Sequence, residues 1–158
     1  MFQHQLKENI IDQMDFNLPP KIFEDFTKTL AVKYFQYLKK NWNMEGYVDE
    51  KGEFTKWDTL NPNYEKWKES KVGKQKILIF NGEMLNSFQY KVDGEQFTIW
   101  TDVEYAKYHQ EGTDKITRRP ILFIDNNFIL KQFIKYIQDG SSDFTTWIKK
   151  SILDEYAK

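Results

Sequence analysis

Ile22, Phe26, Leu30, Tyr34, Leu38 and Trp42 recur every four residues, and Phe23 and Phe35 widen the stripe they form. A spacing of four keeps side chains on one face of an α-helix, so roughly six turns of helix must be covered along their whole length. Lys39 and Lys40 fall in the expected last turn, where cations favour the negative end of the helix dipole, and Gly46 marks the expected stop. Upstream, Phe2, Leu6, Ile10 and Met14 repeat the same spacing and predict a first helix. Leu18-Pro19-Pro20 closes it, because proline disfavours helical backbone in the residue before it.

Downstream the pattern changes. Residues 46 to 61 carry turn signals, with Phe54, Trp57 and Leu60 as an apolar strip on a loop laid across the core. Asn61-Pro62 predicts an N-cap with proline at the first helical position, opening a short helix through Tyr64 and Trp67 that ends near Lys71 to Gly73. Ile77-Leu78-Ile79-Phe80 is a short run expected to be buried, and Asn81 caps a helical turn over Glu83 to Asn86. Phe88, Tyr90 and Val92 alternate as a strand face, and Asp93-Gly94 is a hairpin signal. The returning strand, Gln96 to Thr101, sets Phe97 and Ile99 on one face with Trp100 opposite. Asp102 is expected to cap a helix from Val103 to Glu111, closed by a left-handed Gly112. Ile121 to Ile124 is an apolar extended run, after which Asp125 or Asn126 opens a helix with Ile129, Leu130, Phe133, Ile134 and Ile137 on one stripe. Gly140-Ser141-Ser142-Asp143 breaks the chain before a last helix bearing Phe144, Trp147, Ile148 and Ile152. The fold class expected is α+β: a small antiparallel sheet with a central β-hairpin, packed by the long N-terminal-half helix and by C-terminal helices. Residues 1–140 form the domain and 141–158 a C-terminal helical extension.

Chemistry-bearing residues are sparse. Aromatics make up a high 17% of the 158 residues; core packing is expected to take most of that excess, and the rest to lie at a surface that meets another subunit. The net charge of -1 provides no global field for nucleic acid or anionic membrane. There is no Cys, no 18-residue apolar run and no signal-peptide pattern at Met1 to Gln5, which leads to an expectation of cytoplasmic synthesis without membrane insertion. His109 has Asp102, Glu104 and Glu111 nearby in sequence, but a general base also needs a nucleophile to serve and a group to orient it. Ser87 lies in no nucleophile elbow, so a small hydrolase centred on His109 ranks last and no catalytic residue is assigned. Two histidines 105 positions apart make no zinc site, and no cofactor or metal is expected. The only two arginines stand together at Arg118 and Arg119. With Lys115 they form a basic loop near Trp100, Tyr105 and Tyr108 that could grip a nucleic acid, the runner-up function. The plainer reading is that one arginine forks to carbonyls or a carboxylate while Pro120 fixes the turn.

Four motifs in order carry a resemblance. Phe54 and Trp57-Asp58-Thr59-Leu60 come first, then Asn81-Gly82-Glu83-Met84-Leu85-Asn86-Ser87, in which Asn stands where the family pattern has Thr. Tyr105-Ala106-Lys107-Tyr108-His109-Gln110-Glu111-Gly112 and Arg119-Pro120-Ile121-Leu122 follow, the last with its aromatic displaced to Phe123. From about Phe54 to Ile137 the chain resembles the bacteriophage virion morphogenesis, or tail-completion, family; the tail after Gly140 has no counterpart. The resemblance implies a non-catalytic phage or prophage part that completes the tail or joins it to the head. Its implied partners are the tail tube, the head-tail connector and further copies of itself in a ring, with a place in the host bacterial cytoplasm and then the virion. It marks Trp57, Gly82, Leu85, Ser87, Phe88, Tyr105, His109, Gly112, Arg119 and Pro120 as structural or interface residues.

Overall fold

The computed structural model describes residues 2–6 and 20–139. In chain order these form β1 (Phe2–Leu6), α1 (Pro20–Asn43), β2 (Gly46–Val48), β3 (Phe54–Lys56), α2 (Pro62–Val72), α3 (Glu83–Ser87), β4 (Gln89–Asp93), β5 (Gln96–Thr101), α4 (Ala106–Glu111) and α5 (Asn126–Gln138). The class is α+β, as expected.

α1 is the spine. All six residues of its four-residue repeat are buried, with Phe23 and Ala31 beside them. Aromatic contacts run along its whole length. Phe23 and Phe26 pack on Phe133 of α5. Tyr34 meets Phe97 of β5 and Phe128 of α5, and Trp42 meets Trp57 and Phe88 edge-on. Such pairs contribute about 0.5–1.5 kcal/mol each beyond the area they bury, so much of the aromatic excess serves the core.

Opposite α1 lies an antiparallel sheet in the order β1-β5-β4. β5 alternates, with Phe97, Ile99 and Thr101 buried and Trp100 on the other face, as its sequence predicts. Its hairpin with β4 closes between Asp93 and Gln96 on Gly94 at φ +58°. Phe88 is not part of that strand; it ends α3 and is buried, while Tyr90 is exposed and leans on Phe35.

Several expectations are corrected. Phe2–Leu6 is a strand, paired in register from Phe2↔Thr101 to Leu6↔Phe97, and not the start of a helix. Two apolar residues four apart satisfy the period of a strand as well as that of a helix, and the pairing with β5 decides. Ile10 and Met14, like the predicted last helix and the 141–158 extension, lie outside the described residues. Residues 46 to 56 form a β2–β3 hairpin where a loop was expected. Asp49 closes its turn by accepting the backbone N–H of Lys51 and Glu53 at 2.9 and 3.0 Å. Phe54 is exposed on that hairpin, so only Trp57 of the expected strip is buried. α1 does stop just before Gly46, at Asn43, but the left-handed residue after it is Glu45 at φ +59°. Gly46 is required instead by close approach, since a Cβ there would sit 2.5 Å from the Thr55 carbonyl oxygen. The 77–80 run, expected to be buried, is half-buried to exposed turn structure. Asp102 caps nothing: α4 begins at Ala106, and Val103 N–H donates to Thr101 Oγ1.

Candidate functional site

Tyr105, His109, Gly112, Arg119 and Pro120 of the expected site residues lie in the stretch 105–122. This stretch has no strand partner beyond its turns, so its backbone groups are met by side chains. Gln110 of α4 meets three of them. Its Nε2 donates to the Leu122 carbonyl at 2.7 Å, and its Oε1 accepts the N–H groups of Ile121 and Leu122 at 2.8 and 2.9 Å. Trp57 Nε1 donates to the Pro120 carbonyl at 2.9 Å, and Tyr34 bridges Phe123 O and Asp125 N at 2.8 Å each. Gln110 and Tyr34 were missed as site residues. Gln110 stood inside the Tyr-Ala-x-x-His-Gln-x-Gly motif, whereas nothing marked Tyr34 beyond its place on the α1 stripe.

Arg119 is 6% exposed. Its Nε and Nη2 donate to the carbonyls of Asp58 and Thr59 at 2.9 and 3.0 Å, and Nη1 reaches Thr117 O at 3.5 Å. This is the forked, carbonyl-bound arginine of the plainer sequence reading. Burial holds its pKa below the usual range, with Asp58 acting in the opposite sense. Its backbone N–H donates to His109 O at 2.7 Å, tying the loop to α4. Gly112 ends α4 at φ +77°, ψ 165°. The positive φ was expected, but the ψ belongs to a region that is essentially glycine's alone and not to the left-handed helical one. A Cβ there would lie 3.0 Å from Arg118 Cβ.

Gly82, Tyr105 and His109 meet Arg119 along a cleft of about 650 Å³ between α2, the 77–84 segment, α4 and the 115–119 loop. Gly82 precedes α3 at φ +83°. Tyr105 donates to Glu83 Oε2 at 3.4 Å and sets its ring edge-on to His109. Burial first, then the Arg119 charge, lower the His109 pKa and favour the neutral imidazole, whose Nδ1 is buried without a partner among the described residues. Lys68 is a second buried cation, 3% exposed, donating to Lys76 O at 2.5 Å and Ile77 O at 2.9 Å. Desolvation by burial lowers its pKa, opposed by Glu45 and Glu65. Nothing in the sequence separates it from the solvated lysines around it. Leu85 and Ser87 belong to the core behind the cleft: Leu85 packs against it, and Ser87 Oγ donates to Met84 O at 2.7 Å and lies 2.5 Å from Thr101 Oγ1.

Of the basic loop, Lys115 and Arg118 remain exposed while Arg119 is turned inward. That leaves two exposed cations where the nucleic-acid reading counted three, and one of them, Arg118, donates from Nε to Gln110 O at 3.3 Å. Among the described residues no group of His, Asp and Glu has the arrangement of a metal site, and no helix is long and apolar enough to cross a membrane.

The model of the phage virion morphogenesis family matches residues 48–126, half of the chain, and the chain belongs to that family. The matched stretch runs from β2 to the start of α5 and holds Trp57, the cleft, Gln110 and Arg119. Its role is therefore in building the phage particle, in contact with other virion proteins. No curated protein and no solved structure matches the chain.

Proposed function

We propose that the chain is a non-catalytic assembly part that completes the phage tail or joins it to the head. It is made in the host bacterial cytoplasm and works as a closed ring of identical subunits against the tail tube or the head-tail connector. The observation that carries this reading is the position of the family match. It coincides with the segment whose polar side chains bind the chain's own backbone. Gln110, Trp57 and Arg119 direct their donors at carbonyls, which fixes the shape of a surface. A ring needs such a shape, because heterologous contacts close only when each subunit repeats the same rotation. Exposed rings at Tyr64, Trp67, Phe80, Tyr105 and Tyr108 suit contacts with neighbouring proteins.

Deleting the gene from its phage or prophage tests the reading. Electron microscopy of the lysate is expected to show heads and tails that fail to join or tails left unfinished, restored by the wild-type chain. Normal particles without the gene would refute it. Light scattering across a concentration series tests the ring separately, by growth toward a discrete oligomer.

A further inference from the structure

We propose that the cleft between α2 and the 115–119 loop receives an acidic, apolar-bearing peptide segment of another virion protein, its carboxylates reaching Lys68, Arg119 and Lys115. The proposal rests on the assembly reading and names the chemistry of one partner contact.

Charge is the first ground. Lys68 and Arg119 are both buried, and both line the cleft. Neither has a carboxylate at ion-pair distance; among the described residues the one such pair is Lys28 with Asp25, elsewhere on α1. Carbonyl oxygens hold both cations in place, yet leave donors over. Lys68 uses two of an ammonium's three N–H groups, and Arg119 uses three of a guanidinium's five. Lys115 adds an exposed cation at the lip. Among the lining residues the one carboxylate is Glu83, already engaged by the Tyr105 hydroxyl; Glu45 and Glu65 act on Lys68, and Asp58 on Arg119, from outside the lining and beyond ion-pair distance. Fixed cations with spare donors in a partly desolvated cleft favour a carboxylate more than the same groups in water.

The rim is the second ground. Tyr64 and Phe80 line the cleft, and Trp67 packs between them, tilted to Tyr64 at 5.5 Å and stacked on Phe80 at 5.9 Å between centroids. All three rings are at least 40% exposed. A cationic floor beneath an aromatic rim fits a peptide that alternates carboxylate and apolar side chains. A nucleic-acid strand needs a row of accessible cations along its backbone, and here two of the three are sunk in the floor.

The test is fluorescence polarisation on the full chain with a labelled Glu-Leu-Glu-Phe-Glu peptide, its Gln-Leu-Gln-Phe-Gln counterpart and an octathymidylate. The acidic peptide is expected to bind at least tenfold more tightly than the amide peptide. Lys115→Glu, at an exposed site, is expected to leave the melting temperature unchanged and to weaken acidic-peptide binding about tenfold. Trp67→Ala is expected to weaken both peptides. Equal affinity for the two peptides, no binding of either at millimolar concentration, or no effect of Lys115→Glu would overturn the proposal. Tighter binding of octathymidylate would overturn it in favour of a nucleic-acid groove. In the phage, a Lys115→Glu, Trp67→Ala double variant that builds normal particles, where the deletion does not, would sink the cleft and spare the assembly reading. Normal particles from the deletion would sink the assembly reading itself.

Discussion

Replacing Gln110 by Ala removes the single side chain that satisfies Ile121 N–H, Leu122 N–H and Leu122 C=O. Ile121 and Leu122 are each 3% exposed, so these backbone groups have little access to water in the folded chain. A buried polar group left unmet costs about 1–3 kcal/mol, and three of them set an upper bound near 9 kcal/mol. The vacated side-chain volume admits water to some of them, which brings the expected loss to about 3–5 kcal/mol. A domain of this size is typically stable by about 5–15 kcal/mol, so the variant should fold but sit close to its transition. Gln110→Glu separates hydrogen bonding from volume. It keeps the two accepted bonds, loses the donor to Leu122 O and sets a charged oxygen against that carbonyl, for an expected loss of about 2–3 kcal/mol. Urea titrations followed by tryptophan fluorescence measure both, with the slope compared to confirm that the folded and unfolded states are unchanged. A loss under about 1 kcal/mol for Gln110→Ala would show that the 121–122 backbone is not held from α4, and the account of the loop would fail.

Tyr34→Phe removes both the donor to Phe123 O and the acceptor of Asp125 N–H, and should cost about 2–3 kcal/mol in the same titration. Gly112→Ala forces a Cβ against Arg118 at φ +77°, and should lower the calorimetric midpoint by an amount equivalent to about 2–3 kcal/mol. Arg119→Lys cannot reproduce the fork to Asp58 and Thr59, so it should cost about 2 kcal/mol where exposed Arg118→Lys costs less than 0.5 kcal/mol. The pKa of His109 is lower in the fold than its ordinary 6.5, so the unfolded chain takes up the proton first as pH falls. Stability contributed by neutral His109 is therefore full above about pH 6.5 and is lost as pH drops toward the folded pKa. Urea midpoints at pH 7.5, 6.5 and 5.5 should show this decline, and His109→Gln should flatten it.

The long helix was legible because the positions midway between its six hits carry Glu24, Lys28, Gln36 and Lys40, while Phe23 and Phe35 widen the stripe at odd offsets, and a strand's period of two allows neither. Phe2 and Leu6 offered two hits, which exclude nothing, and the deciding fact lay in β5, some ninety residues on. Lys68 shows a different limit. It sits on a helix whose other residues are almost all exposed, and its burial comes from the 76–77 segment laid over it, so no local pattern could set it apart.

The 119–125 stretch explains why the candidate site was only half legible. Its apolar residues announced an extended run, of which Ile121, Leu122 and Phe123 are buried and Ile124 is exposed, and burial of backbone without a strand partner creates a demand for donors and acceptors. That demand is met by an amide on α4, an indole from the β3 loop and a phenol on α1, each eleven or more residues away in sequence. In the sequence Tyr34 counted only as one more apolar ring on a stripe, and Trp57 as one of a strip. In the fold each is a ring with a polar tip: the ring fills the core and the tip binds the loop. Phenylalanine in place of Tyr34 would fill nearly the same space and leave Phe123 O and Asp125 N–H unmet, so the polar atom of that ring fixes the shape of the surface and its apolar atoms fix the fold.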